Sequence, residues 1–242
     1  MLSEKYGRTY HFPFSPGTTS DDRINSNYWE DIRKIGTLVH TEKLDGENNC
    51  LNSAGVFARS HAAPTTSPWT RQLRERWELM KYDLGNLELF GENLYAVHSI
   101  EYKRLESYFY VFAVRCLDKW LSWEEVKFYA AAFDLPTVPE LQFQTVEELS
   151  QEQLRQQVLA LARQPGVFGT KDPLTGEDCT REGIVTRNIG EYPVGEFAHN
   201  VFKYVRKGHV KTDEHWTRHW KRARLFWEFN ENKEKYDLDI NR

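Results

Sequence analysis

The sequence has no long apolar run and few cysteines, and both absences narrow the class of protein. No apolar segment approaches the roughly 20 residues of a membrane-spanning helix. The opening MLSEKYGRTY lacks the charged and apolar regions of a signal peptide. The three cysteines, Cys50, Cys116 and Cys179, are widely spaced and form no CxxC pair, which argues against a disulfide framework and a zinc site. We therefore expect a cytoplasmic protein with no membrane contact and with buried free thiols.

Net positive charge is also lacking. The 242 residues carry a formal net charge of −4, although proteins that bind nucleic acid usually present a basic surface. The charge is uneven, however, because the segment from Lys203 to Arg224 holds eight Lys or Arg residues against two acidic ones, a net of +6. A local basic segment on an acidic body fits contact with a polyanion, and a solvated helix face would give the same pattern.

Strand and helix signals are interspersed along the chain. Alternating or continuous apolar patterns predict strands within 36–59, 86–97, 108–116, 183–188 and 196–206. Helical periodicity predicts helices near 27–34, 67–83 and 213–235. Capping boxes at Ser122–Glu125 and Thr145–Glu148 predict helices at 123–133 and 146–163. Because there is no regular βαβ alternation, the prediction is an α+β fold with mainly antiparallel sheets.

One short motif, Glu42-Lys-Leu-Asp-Gly46, points to chemistry. It places Lys43 at the end of a predicted strand, immediately before a tight turn. A lysine amine can attack the α-phosphorus of a nucleotide, but only after it loses its proton, and its reference pKa is about 10.4. Such a site needs cationic neighbours or a metal ion. A KxDG tetrapeptide alone also occurs by chance, so the rest of the chain must supply the specificity.

Further motifs follow this lysine in a fixed order. They are Arg59–His61, Phe90–Leu94, Tyr108–Val114, Glu182–Arg187 and Val201–Arg206. Together with Lys43–Gly46, this series resembles the covalent nucleotidyltransferase superfamily of ligases and mRNA capping enzymes. Within that superfamily it is most similar to the RNA-ligase-2 family, and the resemblance spans residues 42–206.

The resemblance implies a fold and a domain organisation. The expected fold is an α+β nucleotidyltransferase domain, an ATP-grasp-like ligase adenylation domain with two antiparallel β-sheets flanked by helices. Residues 1–206 would form this adenylation domain, and residues 207–242 a short helical basic extension. The 36 residues after the last motif are too few for the OB-fold of DNA ligases and capping enzymes. The role of residues 1–34 is not evident from the sequence.

The resemblance also implies which residues bind ATP. Glu42, immediately before the lysine, would recognise the adenine amino group, and Asn48 matches an Asn of the family's nucleotide site. Glu92 would accept hydrogen bonds from the ribose hydroxyls. Arg59 would contact phosphate or ribose, and Phe112 would stack on adenine. A surface position for Arg59 and a core position for Phe112 would give the same sequence pattern.

Three residues would carry the reaction. Lys43 would be the nucleophile that holds AMP. Glu182 would bind Mg²⁺ or Mn²⁺, a divalent cation that offsets phosphate charge. Lys203 would bind ATP, stabilise charge on the transferring phosphate and help lower the pKa of Lys43.

The sequence departs from the family pattern in two places. The last motif commonly has two lysines separated by one residue, whereas here Lys203 is followed by Tyr204, Val205 and Arg206. The second cation would therefore be Arg206 or Lys207. RNA-ligase-2 relatives often have His where Asp45 stands, and KxDG is more typical of DNA ligases.

The predicted activity is that of an ATP-dependent RNA ligase. It would seal 5′-phosphate and 3′-hydroxyl ends of nicked or broken RNA through lysyl-AMP and an adenylylated 5′ end, with DNA and hybrid substrates left open. The alternatives are a minimal ATP-dependent DNA ligase and a catalytically inactive nucleic-acid-binding protein of the same fold. The intact set of Lys43, Glu92, Glu182 and Lys203 argues against the inactive protein. We expect a monomer, and the sequence does not indicate whether a protein partner delivers the substrate.

Nucleic-acid contacts are predicted in the basic segment, because no OB-fold is available to clamp the substrate. The candidate residues are Arg206, Lys207, Lys211, Arg218, Lys221 and Arg222. Trp216, Trp220 and Trp227 recur on one face of the predicted helix at 213–235. They could stack on bases, but packing of the helix onto the domain is favoured for Trp220 and Trp227.

Overall fold

The computed structural model describes residues 3–208 and 220–229, and in this part of the chain strands and helices alternate irregularly. The strands are β1 Tyr10–His11, β2 Thr37–Lys43, β3 Glu47–Asn52, β4 Gly55–Ala58, β5 Leu87–Asn93, β6 Glu101–Tyr102, β7 Phe109–Cys116, β8 Lys119–Trp120, β9 Glu140–Thr145, β10 Thr170–Lys171, β11 Gly183–Asn188, β12 Tyr192–Pro193 and β13 Val201–Val205. The helices are α1 Tyr28–Ile32, α2 Arg71–Met80, α3 Trp123–Ala132, α4 Gln151–Ala162 and α5 Phe197–Asn200.

Two sheets dominate the described part of the chain. A five-stranded sheet has the order β1-β13-β11-β2-β9, and a six-stranded sheet has the order β12-β8-β7-β5-β3-β4. Strand β1 pairs parallel with β13, and the other pairs of these two sheets are antiparallel. Strands β6 and β10 form a separate two-stranded ribbon. The predicted α+β class with two mainly antiparallel sheets and flanking helices is therefore confirmed.

The five-stranded sheet separates two hydrophobic cores. Successive residues of a strand point to opposite faces, so a strand that is covered on both sides has apolar side chains on both faces. On β2, Leu38 packs into an outer core with α1 and α4, whereas Val39 packs into the inner core shared with the six-stranded sheet. Both side chains are fully buried. The cleft that positions the candidate site therefore lies on the Val39 side of β2.

Helix α3 begins where the sequence predicts. The Ser122 hydroxyl accepts from the Glu125 backbone N–H, and the Glu125 carboxylate accepts from the Ser122 backbone N–H. This reciprocal pair satisfies two backbone donors that have no partner within the helix.

The start of helix α4 was predicted wrongly. Thr145 does not cap a helix but ends β9, where it pairs with Thr37. The helix begins six residues later at Gln151, capped by Ser150 and Gln153 in the same reciprocal arrangement. Thr145–Glu148 and Ser150–Gln153 both fit the capping pattern. Thr145 does not cap a helix because it pairs with β2, a strand that has a partner strand on each side. Strand β9 itself was not predicted from the sequence.

Two further predictions need correction. In the predicted strand at 196–206, residues Phe197–Asn200 form helix α5, and the strand covers only Val201–Val205. In the predicted helix at 213–235, residues 226–229 are helical, whereas 220–225 are not. This stretch instead pairs through its backbone with the main chain of the body, at Arg222 with Ala96 and at Leu225 with Leu105. Residues 213–219 and 230–235, with Trp216, lie outside the described residues.

The aromatic residues of this tail contact the body unequally. Trp220 packs against Trp69 and Tyr95, at ring-centroid distances of 6.1 and 5.9 Å. Trp227 is exposed and contacts the neighbouring Phe226 ring. The favoured packing role is thus seen for Trp220 and not for Trp227. The domain boundary between residues 206 and 207 stays a prediction. Among the described residues, none of the helices combines the length and the apolar character needed to cross a bilayer.

A buried histidine links the central strands β2 and β11. His40 is fully buried, and its Nδ1 lies 2.8 Å from the Thr186 hydroxyl. Burial lowers the pKa of His40 to about 4. The folded protein therefore keeps this ring neutral at a pH where the unfolded chain, with a pKa of about 6.5, takes up a proton.

This difference predicts a loss of stability in acid. Between about pH 6.5 and pH 4 the unfolded state binds the extra proton, so His40 should lower the free energy of unfolding by up to about 3 kcal/mol. His40→Asn keeps a polar group facing Thr186. Its free energy of unfolding, measured by urea unfolding at several pH values, should therefore fall less steeply between pH 6.5 and pH 4. Above pH 7 the free energies of unfolding of the wild type and of His40→Asn should change with pH in the same way. An unchanged slope below pH 6.5 would contradict the assignment.

Candidate active site

Lys43 ends strand β2 and faces the cleft between the two sheets. Its pairing partner on β11 is Gly183, so the preceding residue, Glu182, lies beside the lysine side chain. The Lys43 Nζ donates to Glu182 Oε2 at 2.7 Å. Gly183 is required at this crossing, because a Cβ there would lie 1.9 Å from the Tyr204 carbonyl oxygen. Two predicted site residues, 139 positions apart in sequence, thus form one ion pair.

The turn after Lys43 is held by side chains from other parts of the chain. The Gly46 N–H donates to Glu92 Oε1 at 2.9 Å, and the Asp45 N–H donates to the Tyr102 hydroxyl at 2.8 Å. Asp45 Oδ2 accepts from the Ser99 N–H at 2.8 Å and from its hydroxyl at 2.7 Å. These contacts fix the lysine end of β2 relative to the six-stranded sheet. No sequence motif pointed to Ser99 or Tyr102.

The six-stranded sheet contributes a row of polar side chains to the cleft. Asn48, Glu92 and Tyr110 are directly paired across β3, β5 and β7, so they point to the same face. The Tyr110 ring lies 4.9 Å from that of Phe168, and its hydroxyl accepts from the Glu106 and Ser107 N–H groups. Asn48 Oδ1 is buried and has no hydrogen-bond partner among the described residues. A buried acceptor in this state is suited to a donor from a ligand.

Charge around Lys43 favours its protonated form. Burial alone would lower the pKa of Lys43, but the carboxylates of Glu182, Glu92 and Asp45 outweigh it and hold the pKa above its ordinary value. The expected lowering of this pKa is therefore not what the structure shows. Burial raises the pKa of Glu92 to about 8, against the opposing charge of Lys43.

Lys203 lies on the same face of the five-stranded sheet as Lys43. It pairs with Val185, which pairs with Thr41, two residues before the nucleophile candidate. Burial lowers the pKa of Lys203, and the nearby charge of Lys43 adds to that lowering. The Lys203 ammonium contacts Asp22 at 3.1 Å. The structure thus brings together Lys43, Glu92, Glu182 and Lys203, whose roles stay predictions.

Glu42 is placed differently from Lys43. Being consecutive on β2, the two side chains point to opposite faces, and Glu42 pairs with Ile184 of the outer core. Its Oε2 accepts from the Val167 N–H at 2.8 Å and lies 3.9 Å from Arg181. The Glu42 side chain is therefore buried on the outer side of the sheet, and its role toward adenine stays a prediction.

Phe112 and Arg59 complete the predicted nucleotide residues. The pairing of β5 with β7 shifts register at Phe90–Gly91, which leaves Phe112 as the extra residue of a bulge. Its ring contacts Tyr6 edge-on at 5.1 Å, and its carbonyl accepts from Arg187. The Phe112 side chain is almost fully buried, whereas Arg59 is exposed just beyond β4. Stacking on adenine and a phosphate contact stay predictions.

The predicted nucleic-acid residues occupy unlike environments. The Arg206 N–H donates to the Glu182 carbonyl at 2.9 Å, which places this residue at the rim of the site. Lys207 and Lys221 are exposed. Arg222 instead pairs with Glu228 at 2.5 Å and donates to the Tyr108 hydroxyl at 2.6 Å. Lys211 and Arg218 lie outside the described residues.

A metal ion at this site would need ligands from the substrate as well as from the protein. Within residues 3–208 and 220–229, no cluster of three or more His, Cys, Asp or Glu side chains could hold an ion alone. Mg²⁺ commonly binds through one or two carboxylates together with substrate phosphates and water. The buried Glu182 carboxylate fits that donor set, with the remaining ligands supplied by the substrate.

Comparison with known proteins agrees with this geometry. The model of the RNA ligase family matches residues 36–205, which include every element of the cleft described above except the N-terminal segment. The chain therefore belongs to the RNA ligase family. No curated protein matches the sequence.

Solved structures show the same fold at low identity. A ligand-free variant of Naegleria gruberi RNA ligase matches with a TM-score of 0.52 and 19% identity, over 85% of this chain and 59% of that one. Another variant of that enzyme, with ATP and Mn, matches with a TM-score of 0.51 and 19% identity, over 88% of this chain and 64% of that one. The chain thus spans about three fifths of the length of these structures.

The Lys43–Glu182 pair predicts a stability effect that does not depend on activity. The two side chains are 25% and 5% exposed, so Lys43→Met would remove the cation nearest to a buried carboxylate, at a cost on the order of 3 kcal/mol. Adding Glu182→Gln removes the carboxylate charge, and the double variant should regain most of that stability in urea unfolding. Equal stability of Lys43→Met and the wild type, or additive losses in the double variant, would show that the pair is not coupled.

Proposed function

We propose that this chain is an ATP-dependent RNA ligase that carries AMP on Lys43 and joins 5′-phosphate to 3′-hydroxyl ends. One observation carries the proposal: Lys43, Glu92, Glu182 and Lys203 converge on the cleft from both sheets. Binding of nucleic acid alone requires neither an amine nucleophile nor buried carboxylates around it. Membership of the RNA ligase family supports the same activity.

The first step would be attack of the Lys43 amine on the α-phosphorus of ATP. The Lys43 amine would first give its proton to solvent; the nitrogen–phosphorus bond then forms, the bond from the α-phosphorus to the bridging oxygen breaks, and pyrophosphate leaves. Lys203, on the same face of the sheet, would stabilise the charge that develops on the phosphate oxygens. Glu92 and Asn48, adjacent in the polar row, would bind the nucleoside, and the Asn48 acceptor supports this assignment.

Glu182 would hold the divalent cation. Bound there, Mg²⁺ or Mn²⁺ supplies positive charge that offsets the charge of the phosphates. The buried position of Glu182, 2.7 Å from the lysine amine, supports a site at the reacting phosphate rather than at the rim of the cleft.

The two later steps would use the same cleft. AMP passes from Lys43 to the oxygen of a 5′-phosphate, and a 3′-hydroxyl then attacks that phosphate, so that a phosphodiester bond forms and AMP leaves. RNA is the proposed substrate because of the family. A panel of nicked duplexes that differ only in the sugar on the 3′ side would compare RNA, DNA and hybrid ends directly.

The nucleophile assignment predicts the fate of labelled ATP. Wild-type protein incubated with α-labelled ATP and Mg²⁺ should retain the label through denaturing electrophoresis, and Lys43→Ala should retain none, because no other group is assigned to attack phosphorus. Lys34→Ala, which removes an exposed lysine, is the matched control and should label like the wild type. Labelling of Lys43→Ala would move the nucleophile elsewhere. The same variant should still seal a pre-adenylylated strand, since that step does not need AMP on the lysine.

The basic segment predicts a salt dependence of substrate binding. Replacing Lys211, Arg218, Lys221 and Arg222 with Ala should leave lysyl-AMP formation nearly unchanged and weaken binding to nicked duplex. For a duplex, the slope of log affinity against log salt should fall by about 0.9 for each phosphate that the variant no longer neutralises. The matched control replaces four exposed cations outside the basic segment: Arg33, Lys34, Arg71 and Arg163. An unchanged slope in the first variant would move the binding surface to the body of the domain.

A further inference from the structure

The N-terminal segment forms the edge of the five-stranded sheet next to Lys203. Strand β1 pairs parallel with β13, and the residue opposite Lys203 is His11. The Phe12 N–H donates to the Lys203 carbonyl at 2.9 Å, and the His11 N–H donates to the Arg23 carbonyl at 2.7 Å. These bonds tie the loop that carries Asp22 to the strand that carries Lys203.

Three donors hold the Asp22 carboxylate, and the His11 ring lies beside it. Its Oδ2 accepts from the Thr19 N–H and from the Thr19 hydroxyl, both at 3.0 Å. Its Oδ1 lies 3.1 Å from the Lys203 ammonium and 3.1 Å from His11 Nε2. Although partial burial opposes the charge, the Thr19 N–H and the Lys203 ammonium hold the pKa of Asp22 well below its usual range. The carboxylate is therefore charged and fixed in orientation.

A second set of contacts fixes His11. The ring is fully buried, and its Nδ1 lies 2.8 Å from the Ser15 hydroxyl, whose oxygen accepts from the Val205 N–H at 2.9 Å. Burial, with the charge of Lys203, lowers the pKa of His11 to about 4, so the ring is neutral near pH 7.

The contact with Asp22 determines which carboxylate the Lys203 side chain pairs with. A lysine side chain has four flexible carbons, and Lys203 lies near the Glu182 carboxylate as well as near Asp22. If Lys203 paired with Glu182, it would compete with Lys43 for that carboxylate. Asp22 gives Lys203 a partner of its own on the far side, so that each lysine has a separate carboxylate at 2.7 or 3.1 Å.

We infer that Asp22, held by His11 and Thr19, is a positioning residue that keeps the Lys203 ammonium at the cleft face beside Lys43. The inference rests on the proposed function. It gives the N-terminal segment, for which the sequence suggested no role, a direct part in the reaction of a lysine 181 residues away.

The test is a double-mutant cycle on the first step. The rate of lysyl-AMP formation is measured in single turnover with labelled ATP for the wild type, Asp22→Asn, Lys203→Ala and the double variant. Asp22→Asn should slow the step about tenfold or more at saturating ATP, since small misplacement of a catalytic group is costly, and should change the apparent KM for ATP little. Because Asp22 acts through Lys203, the double variant should be no slower than Lys203→Ala alone.

Two control variants distinguish a role of Asp22 in positioning Lys203 from a role in folding. Asp21→Asn removes a neighbouring exposed carboxylate and should react at the wild-type rate. If circular dichroism shows that Asp22→Asn does not fold, His11→Asn takes its place in the same cycle. His11→Asn should then slow lysyl-AMP formation in the wild-type background but not in the Lys203→Ala background.

Two outcomes would overturn the inference while leaving the proposed function intact. One is a wild-type rate for Asp22→Asn, and the other is multiplicative slowing in the double variant, which a structural role would produce. Failure of the wild-type protein to take up AMP is a different result. It would overturn the proposed function, and the inference with it.

Discussion

The buried ion pair between Lys43 and Glu182 is the contact on which the rest of the site depends. Taking both charges out of water is costly, and a buried pair of this kind is no better for stability than apolar residues of the same volume. Two further carboxylates lie around Lys43, and each has its own donor: Glu92 accepts from the Gly46 N–H, and Asp45 accepts from the Ser99 N–H. The polar shell around Lys43 therefore indicates a site kept for chemistry rather than for stability.

The sheet geometry explains how the pair forms. Strands β2 and β11 are adjacent and antiparallel, so the end of one lies beside the beginning of the other, and Glu182 immediately precedes β11. Lys203 on β13 and His11 on β1 lie in a neighbouring row of the same face, level with Thr41, two residues before Lys43. The site thus occupies two neighbouring rows on one face of the five-stranded sheet, and Glu92 and Asn48 of the six-stranded sheet lie on the other side of the cleft.

Local sequence patterns predicted the parts of the fold that local interactions decide. The Ser122 capping box placed helix α3 correctly, because capping involves only neighbouring residues. Thr145 has an equally good capping pattern, but it lies on β9 and pairs with β2, a contact between residues far apart in sequence. Chain residues 220–225 likewise follow backbone pairing with the body instead of their helical periodicity.

The resemblance to the ligase superfamily indicated Lys43, Glu92, Glu182 and Lys203 as site residues, and the structure brings these four side chains together. The sequence could not show that the Glu42 carboxylate is buried against Val167 and Arg181, because these contacts join residues far apart in the chain. Nor could it indicate Asp22, because a lone acidic residue in a loop carries no signal until β1 pairs with β13.

The central claim is that Lys43 becomes covalently adenylylated. Peptide mass spectrometry of the full chain after incubation with ATP and Mg²⁺ tests it most directly. An AMP adduct is expected on the peptide that contains Lys43 and on no other lysine, and added pyrophosphate should remove it. An unmodified Lys43, or an adduct confined to another residue, would contradict the claim.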